Sequence, residues 1–331
     1  MRIWFRFVKP FTEHFSETRS YGGSASRIID DGIGFSSGHL AHSLMYAQLH
    51  DTRLFFDING AALVPDGNTM RDRPIAVLLH GGPGADHTSY KPSFDPLTAH
   101  MQLLYLDHRG QGRSARGNPR TYTLDQNVAD LEAFRQYLGI EQWVVIGGSY
   151  GGMVALAYAS RYPDRVSHLI VYATAASHHF LPRAQATLRE RGTPEQQAIA
   201  EYLWNGSFET EAQLQAYFHL LAPLYSLSYQ PSRAEPGWER TILSVDAINA
   251  AFGGFLRTYD LQPELGQITA PTLVIGGRHD WICAPEFSEA IAAAIPQAEL
   301  QIFEQSGHSI RSDQPADLLQ AITRFILAIP H

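Results

Sequence analysis

A single cysteine, Cys283, stands among 331 residues. The chain therefore has no internal disulfide and no cysteine-rich zinc site, and a reducing cytoplasm suits it. Long apolar runs are missing too, since no stretch reaches the roughly 18 consecutive apolar residues of a membrane helix. Positive charge is in deficit: 25 Lys plus Arg face 33 Asp plus Glu, for a net charge of -8. That sign is wrong for screening nucleic-acid phosphates or anionic lipid, so neither nucleic acid nor membrane is an expected partner. Charged residues reach only 18% and hydrophobic ones 44%, a balance that excludes a disordered or coiled-coil chain and fits a soluble globular one. No two histidines four apart enclose a glutamate, so zincin chemistry has no support and the reading needs neither metal nor cofactor. In the opening decapeptide Arg6 and Lys9 interrupt the apolar run and no Ala-x-Ala site follows, which argues against a secretory signal.

The length gives a prior of two units, or of one large unit carrying an insertion. Residues 1–44 mix Gly, Ser, His and charged residues without helix or strand period and read as an irregular extension, with Met45 a candidate internal start. Residues 46–50 and 54–57 read as a hairpin, closed by the turn signal Asn59-Gly60. Beyond it come short, continuously apolar runs at 75–79, 103–106, 143–146, 169–172, 272–275 and 300–303. Such runs suit strands buried on both faces of a parallel sheet. Helical spacing fills the gaps, over 124–138 and 150–161, and a last helix spans 315–329. Strand and helix alternate, so the class is α/β with a mostly parallel central sheet flanked by helices. The rhythm fails over 178–258, which reads as a helical cap inserted after the sixth strand; the core is then 45–177 plus 259–331.

Gly147-Gly-Ser-Tyr-Gly151 follows the 143–146 strand and opens the 150–161 helix. A G-x-S-x-G turn in that setting lifts a serine hydroxyl onto a strained elbow, which makes Ser149 the candidate nucleophile. Gly34-Phe-Ser-Ser-Gly38 has the same spacing around Ser36, but no buried strand precedes it. His80-Gly-Gly-Pro-Gly84 follows the 75–79 strand; a glycine-rich loop there exposes N–H groups to an oxyanion, and the expected donors are the N–H groups of Gly82 and Tyr150. His80 itself is expected to hold the loop rather than move protons. On such a scaffold the order is Ser, then Asp or Glu, then His. Asp280 follows the 272–275 strand, and His308 alone among fifteen histidines sits in a loop just downstream of it, after the last strand. Those two complete a Ser149–Asp280–His308 triad acting through an acyl-enzyme.

With these residues in place the chain resembles an α/β-hydrolase of the proline iminopeptidase group. The resemblance is carried by His80-Gly-Gly-Pro-Gly84, Asp107-His-Arg-Gly-Gln-Gly-Arg-Ser114, Gly147-Gly-Ser-Tyr-Gly-Gly152, Asp280-Trp-Ile-Cys-Ala-Pro285 and Ser306-Gly-His308. It covers residues 45–331. It implies cytoplasmic, cofactor-free enzymes that remove an N-terminal proline or another residue from short peptides, with 107–114 bracing the active-site face. In that family glutamates of a helical cap bind the substrate's α-amino group. This chain departs at Trp204-Asn205-Gly206, where bacterial members commonly show Trp-Glu-Gly. Asn205 and Trp204 are thus the candidate cap contacts, with Glu201 and Glu235 as substitute carboxylates beside Glu209 and Glu239. Without such a carboxylate the same machinery would serve an esterase, lactonase or amidase. A binding protein would tolerate loss of triad members, and all three are present.

Overall fold

The structure, a computed structural model, describes residues 45–231 and 240–328. The extension with its Ser36 motif, and Glu235, Trp238 and Glu239, lie outside that range.

The apolar runs become neighbours in one eight-stranded sheet. Its first two strands are β1 (Tyr46–Gln48) and β2 (Arg53–Asn59), the expected hairpin. A small separate hairpin follows, β3 (Leu63–Asp66) and β4 (Thr69–Asp72). The remaining strands are β5 (Ile75–Leu79), β6 (Gln102–Leu106), β7 (Trp143–Gly148), β8 (Val166–Tyr172), β9 (Thr272–Gly277) and β10 (Ala298–Phe303). The spatial order is β1-β2-β6-β5-β7-β8-β9-β10, antiparallel through β2 and β6 and parallel from there on.

Alternate residues of each strand feed two cores, as a period of two requires. Val77, Leu79, Val145 and Val171 face α1 (Leu124–Leu138) and α2 (Tyr150–Arg161); Leu78, Ile146 and Ile170 pack on the other face with Leu318, Ile322 and Phe325 of the C-terminal helix Pro315–Ala328. Each such side chain, fully buried, contributes roughly 1.5–3 kcal/mol. Helix α1 keeps Leu124, Val128, Leu131 and Phe134 inward, starts at the Thr123 cap and stops at Gly139.

Register decides where the chemistry sits. Leu79 lies opposite Leu106 and Gly147, Gly148 opposite Tyr172, and Phe303 opposite Gly277. The residues that follow β5, β6, β7, β9 and β10 thus emerge at one edge, where ligands of open α/β sheets bind.

After β8 the chain leaves the sheet for α3 (Phe180–Arg191), α4 (Pro194–Asn205), α5 (Glu211–Tyr225) and a further helix, Val245–Phe252. Departure and return are stitched together: His178 N–H donates to Tyr259 O at 2.8 Å and Leu261 N–H to Ala176 O at 2.7 Å, around a Ser177–Asp260 bridge. Among the described residues no helix is long and apolar enough to cross a membrane.

Candidate active site

Ser149 occupies the turn between β7 and α2 with φ 53° and ψ -122°. A non-glycine residue there is strained by about 1–3 kcal/mol, so its surroundings must over-determine it. They do. Its N–H donates to Tyr172 O at 3.0 Å, and its carbonyl accepts from Thr174 Oγ1 at 2.7 Å and Gly152 N–H at 2.9 Å. The flanking glycines are sterically required: a Cβ on Gly151 would fall 1.9 Å from Leu79 O, and one on Gly147 would fall 2.2 Å from Gly151 O.

Gly81 and Gly82 line the same cavity as Ser149. Tyr150 opens α2, so its N–H has no carbonyl one turn back to bond, and the positive end of the helix dipole lies at the serine. The glycine loop is held by its neighbours. His108 N–H donates to His80 Nε2 at 3.1 Å, which places the His80 ring proton on Nδ1, 2.8 Å from Gly81 O. Burial keeps both His80 and His108 below the ordinary histidine value, hence neutral. Gly84 N–H donates to Gln111 Oε1 at 2.7 Å, tying the loop to the 107–114 segment. Asp107 anchors that segment: its carboxylate accepts from His87 Nδ1 at 2.7 Å and from Arg113 N–H at 2.8 Å. Burial would push this carboxyl up, but the His87 hydrogen bond and charge outweigh it and hold it below the usual range.

His308 Nδ1 lies 2.8 Å from Asp280 Oδ2. The other Asp280 oxygen is occupied by the N–H groups of Ile282 at 2.9 Å and Cys283 at 2.8 Å, so the carboxylate is fixed before it meets the imidazole. A carboxylate acceptor places the neutral ring's proton on Nδ1 and leaves Nε2 with a lone pair. His308 and Ser149 line one cavity. Cys283 is buried, and burial together with the Asp280 charge pushes its thiol well up.

The cavity roof comes from the insertion: Leu203 of α4, Tyr217, Phe218 and Tyr225 of α5, Ile248 and Phe252. The cap residues expected from the sequence sit elsewhere. Glu201 and Asn205, four apart on α4, share its solvent face, whereas Ala200 and Leu203 face inward. Helix phase, not position beside a tryptophan, decides which side chains reach the cavity. Trp204 is buried behind the lining, its ring 6.3 Å from both Phe252 and Trp281. Glu209 is exposed, and Glu235 lies outside the described residues. Among the described lining residues there is no carboxylate; Arg311 is charged.

Asp313, unremarked in the sequence, ties the roof to the histidine loop. Its Oδ1 accepts from Ser226 Oγ at 2.6 Å and Ser228 N–H at 2.9 Å, just past α5, and its Oδ2 accepts from Gly307 N–H at 2.8 Å. Ser309 N–H donates to Tyr225 O at 2.8 Å alongside.

Residues 74–315 match the family model for the alpha/beta hydrolase fold. The chain is 36% identical over 266 residues to the proline iminopeptidase PfmaB of Pestalotiopsis fici, covering 78% of this chain and 94% of that one. The chain belongs to the proline iminopeptidase family of α/β-hydrolases. The proline iminopeptidase of Levilactobacillus brevis is 32% identical over 269 residues, covering 76% of this chain and 88% of its own length. The solved proline iminopeptidase of Mycobacterium smegmatis superposes with a TM-score of 0.67 at 22% identity, over 86% of this chain and 98% of that one, a likeness of fold. Family and fold agree with the motif reading.

Proposed function

We propose that this protein is a serine hydrolase of proline iminopeptidase type, which removes an N-terminal proline or another residue from short peptides or amides through an acyl-enzyme. His308 Nε2 takes the proton from Ser149 Oγ as it attacks the scissile carbonyl. Asp280 holds the imidazole in that tautomer and stabilises the imidazolium. The N–H groups of Gly82 and Tyr150 receive the oxyanion. Collapse breaks the C–N bond, His308 protonates the departing amine, and water then releases the acyl group by the reverse sequence.

The observation that carries the reading is the 2.8 Å Asp280–His308 hydrogen bond on the wall of the cavity that also holds the strained Ser149. Substrate choice follows from the relatives, which are proline iminopeptidases. It is tested by kcat/KM for proline naphthylamide, for its N-acetylated form and for p-nitrophenyl acyl esters. Preference for the free amine over the acetylated amide supports the peptidase. Turnover of esters with neither amide cleaved would overturn it.

A further inference from the structure

The glycine loop has a further holder, and it belongs to the insertion. Ser244 N–H donates to Gly84 O at 2.9 Å, while Ser244 Oγ donates to Gly110 O at 2.7 Å. Just before it, Ile242 N–H donates to the buried Asp86 carboxylate at 2.9 Å and Leu243 O accepts from Arg116 Nη2 at 3.3 Å. The returning chain is thus fastened to the 84–86 and 110–116 segments together. Ser244 is 4% exposed, so breaking its hydroxyl bond leaves a buried carbonyl short of a donor.

Gly84 in turn touches the proposed oxyanion donor. A Cβ built on Gly82 would fall 2.9 Å from Gly84 N, so the loop doubles back until these two residues meet. A Cβ on Gly84 would fall 2.8 Å from Ser244 O and 3.1 Å from Ile248 Cβ, which leaves no slack between loop and insertion. Gly84 is gripped at both ends, its N–H by Gln111 and its carbonyl by Ser244. Ser244 also caps the helix Val245–Phe252, whose Ile248 and Phe252 line the cavity. An oxyanion donor works at about 2.7–3.1 Å from the oxygen that it stabilises, and an ångström of misplacement is costly. A shift of Ser244 therefore carries through Gly84 to the Gly82 N–H.

We infer that Ser244 is a positioning residue for the oxyanion hole: through Gly84 it holds the Gly82 N–H at its working distance, so the insertion completes what the core alone leaves loose. The inference rests on the acyl-enzyme reading above. A plain helix cap would act on stability only. Thr193 and Thr210, the caps of α4 and α5, are of that kind, their hydroxyls serving their own helices. The Gly110 bond sets Ser244 apart, because it joins the cap of an insertion helix to a loop of the core.

The test compares Ser244→Ala and Ser244→Gly with Thr193→Ala. Both Ser244 variants lose the Gly110 bond, and glycine, itself a good cap, keeps the helix start should alanine prove too destabilising. In each, kcat on proline naphthylamide should fall about tenfold or more with KM held within about twofold. The rate of fluorophosphonate labelling at Ser149 should fall alongside, because the phosphoryl oxygen uses the same donors. Thr193→Ala should lower Tm and leave kcat unchanged. An unchanged kcat in the Ser244 variants would make this residue a plain cap. A raised KM with kcat kept would move its role to the cavity wall, and an equal kcat loss in Thr193→Ala would trace the effect to general loosening of the insertion. Each of these three results overturns the inference. If the wild-type enzyme takes the label but cleaves no proline substrate, the peptidase reading alone fails, and the labelling rates decide the Ser244 assignment by the same criteria.

Discussion

The ring of Tyr225, at the end of α5, stands edge-on to the imidazole of His308, with centroids 5.4 Å apart and planes at 73°. Tyr225 also packs at 5.3 Å against Trp281 and shares a 3.0 Å hydrogen bond with the Tyr217 hydroxyl. The imidazole is thus held by Asp280 at one nitrogen and by a cap aromatic at its side. Tyr225→Ala should lower kcat by roughly 10- to 100-fold, since an ångström of misplacement at a reacting group costs that order. Tyr225→Phe, which keeps the ring, should recover most of it. Steady-state kinetics of the two variants decide the matter; equal losses would mean that the hydroxyl, not the ring, is what counts.

Ser149→Ala should reduce turnover by about 10⁴-fold or more while leaving Tm near that of the parent. Alanine fits the elbow, because the pinning hydrogen bonds of residue 149 are all made by its backbone. A fluorophosphonate probe followed by peptide mapping should find its adduct on Ser149 and none on Ser36.

Acid should destabilise the fold well above the carboxylate range. His80 and His108 are buried with folded-state pKa values below the ordinary value. As pH falls through about 6.5, the unfolded chain binds protons that the folded one refuses. Stability is therefore complete above that pH and declines below it, by up to about 1.4 kcal/mol per pH unit for each histidine. Thermal melts between pH 8 and 5 should show the Tm falling below pH 6.5. His108→Gln should flatten part of the slope. A Tm constant down to pH 5 would contradict the neutral pair.

Cys283 should be inert to iodoacetamide in the native protein, because its buried thiol resists ionisation and the thiolate is the reactive form. Cys283→Ala should keep most activity: the contact this residue makes with Asp280 is through its N–H. Mass spectrometry of the alkylated protein and a rate assay of the variant check both halves.

Much of this architecture is legible in the sequence because parallel strands buried on both faces read as unbroken apolar runs. The helices 124–138 and 150–161 are likewise found with their observed ends, Thr123 and Gly139 marking the first and the serine elbow the start of the second. The β3–β4 hairpin leaves no such trace, being largely exposed, and its one signal is the Asp66-Gly67 turn. At the candidate site, spacing after strands points to Ser149, Asp280 and His308, and the structure pairs Asp280 with His308 and sets Ser149 and His308 on one cavity. Spacing does not suffice for the roof, since cavity-facing residues there depend on helix phase and on how the helices dock: Leu203 turns in, whereas Glu201 and Asn205 turn out. Asp313 acts through a carboxylate whose partners Ser226 and Ser228 lie far along the chain, and no local pattern announces it.

The carboxylate of Asp313, shared between the end of α5 and Gly307, makes residues 306–313 part of the insertion's inheritance. A chimera that imported another relative's insertion alone would bring a foreign ending to α5 against a carboxylate spaced for Ser226 and Ser228. His308 would then sit on a loop whose counterpart had changed. Recombination of new specificities onto this scaffold must therefore move two distant stretches of the gene together.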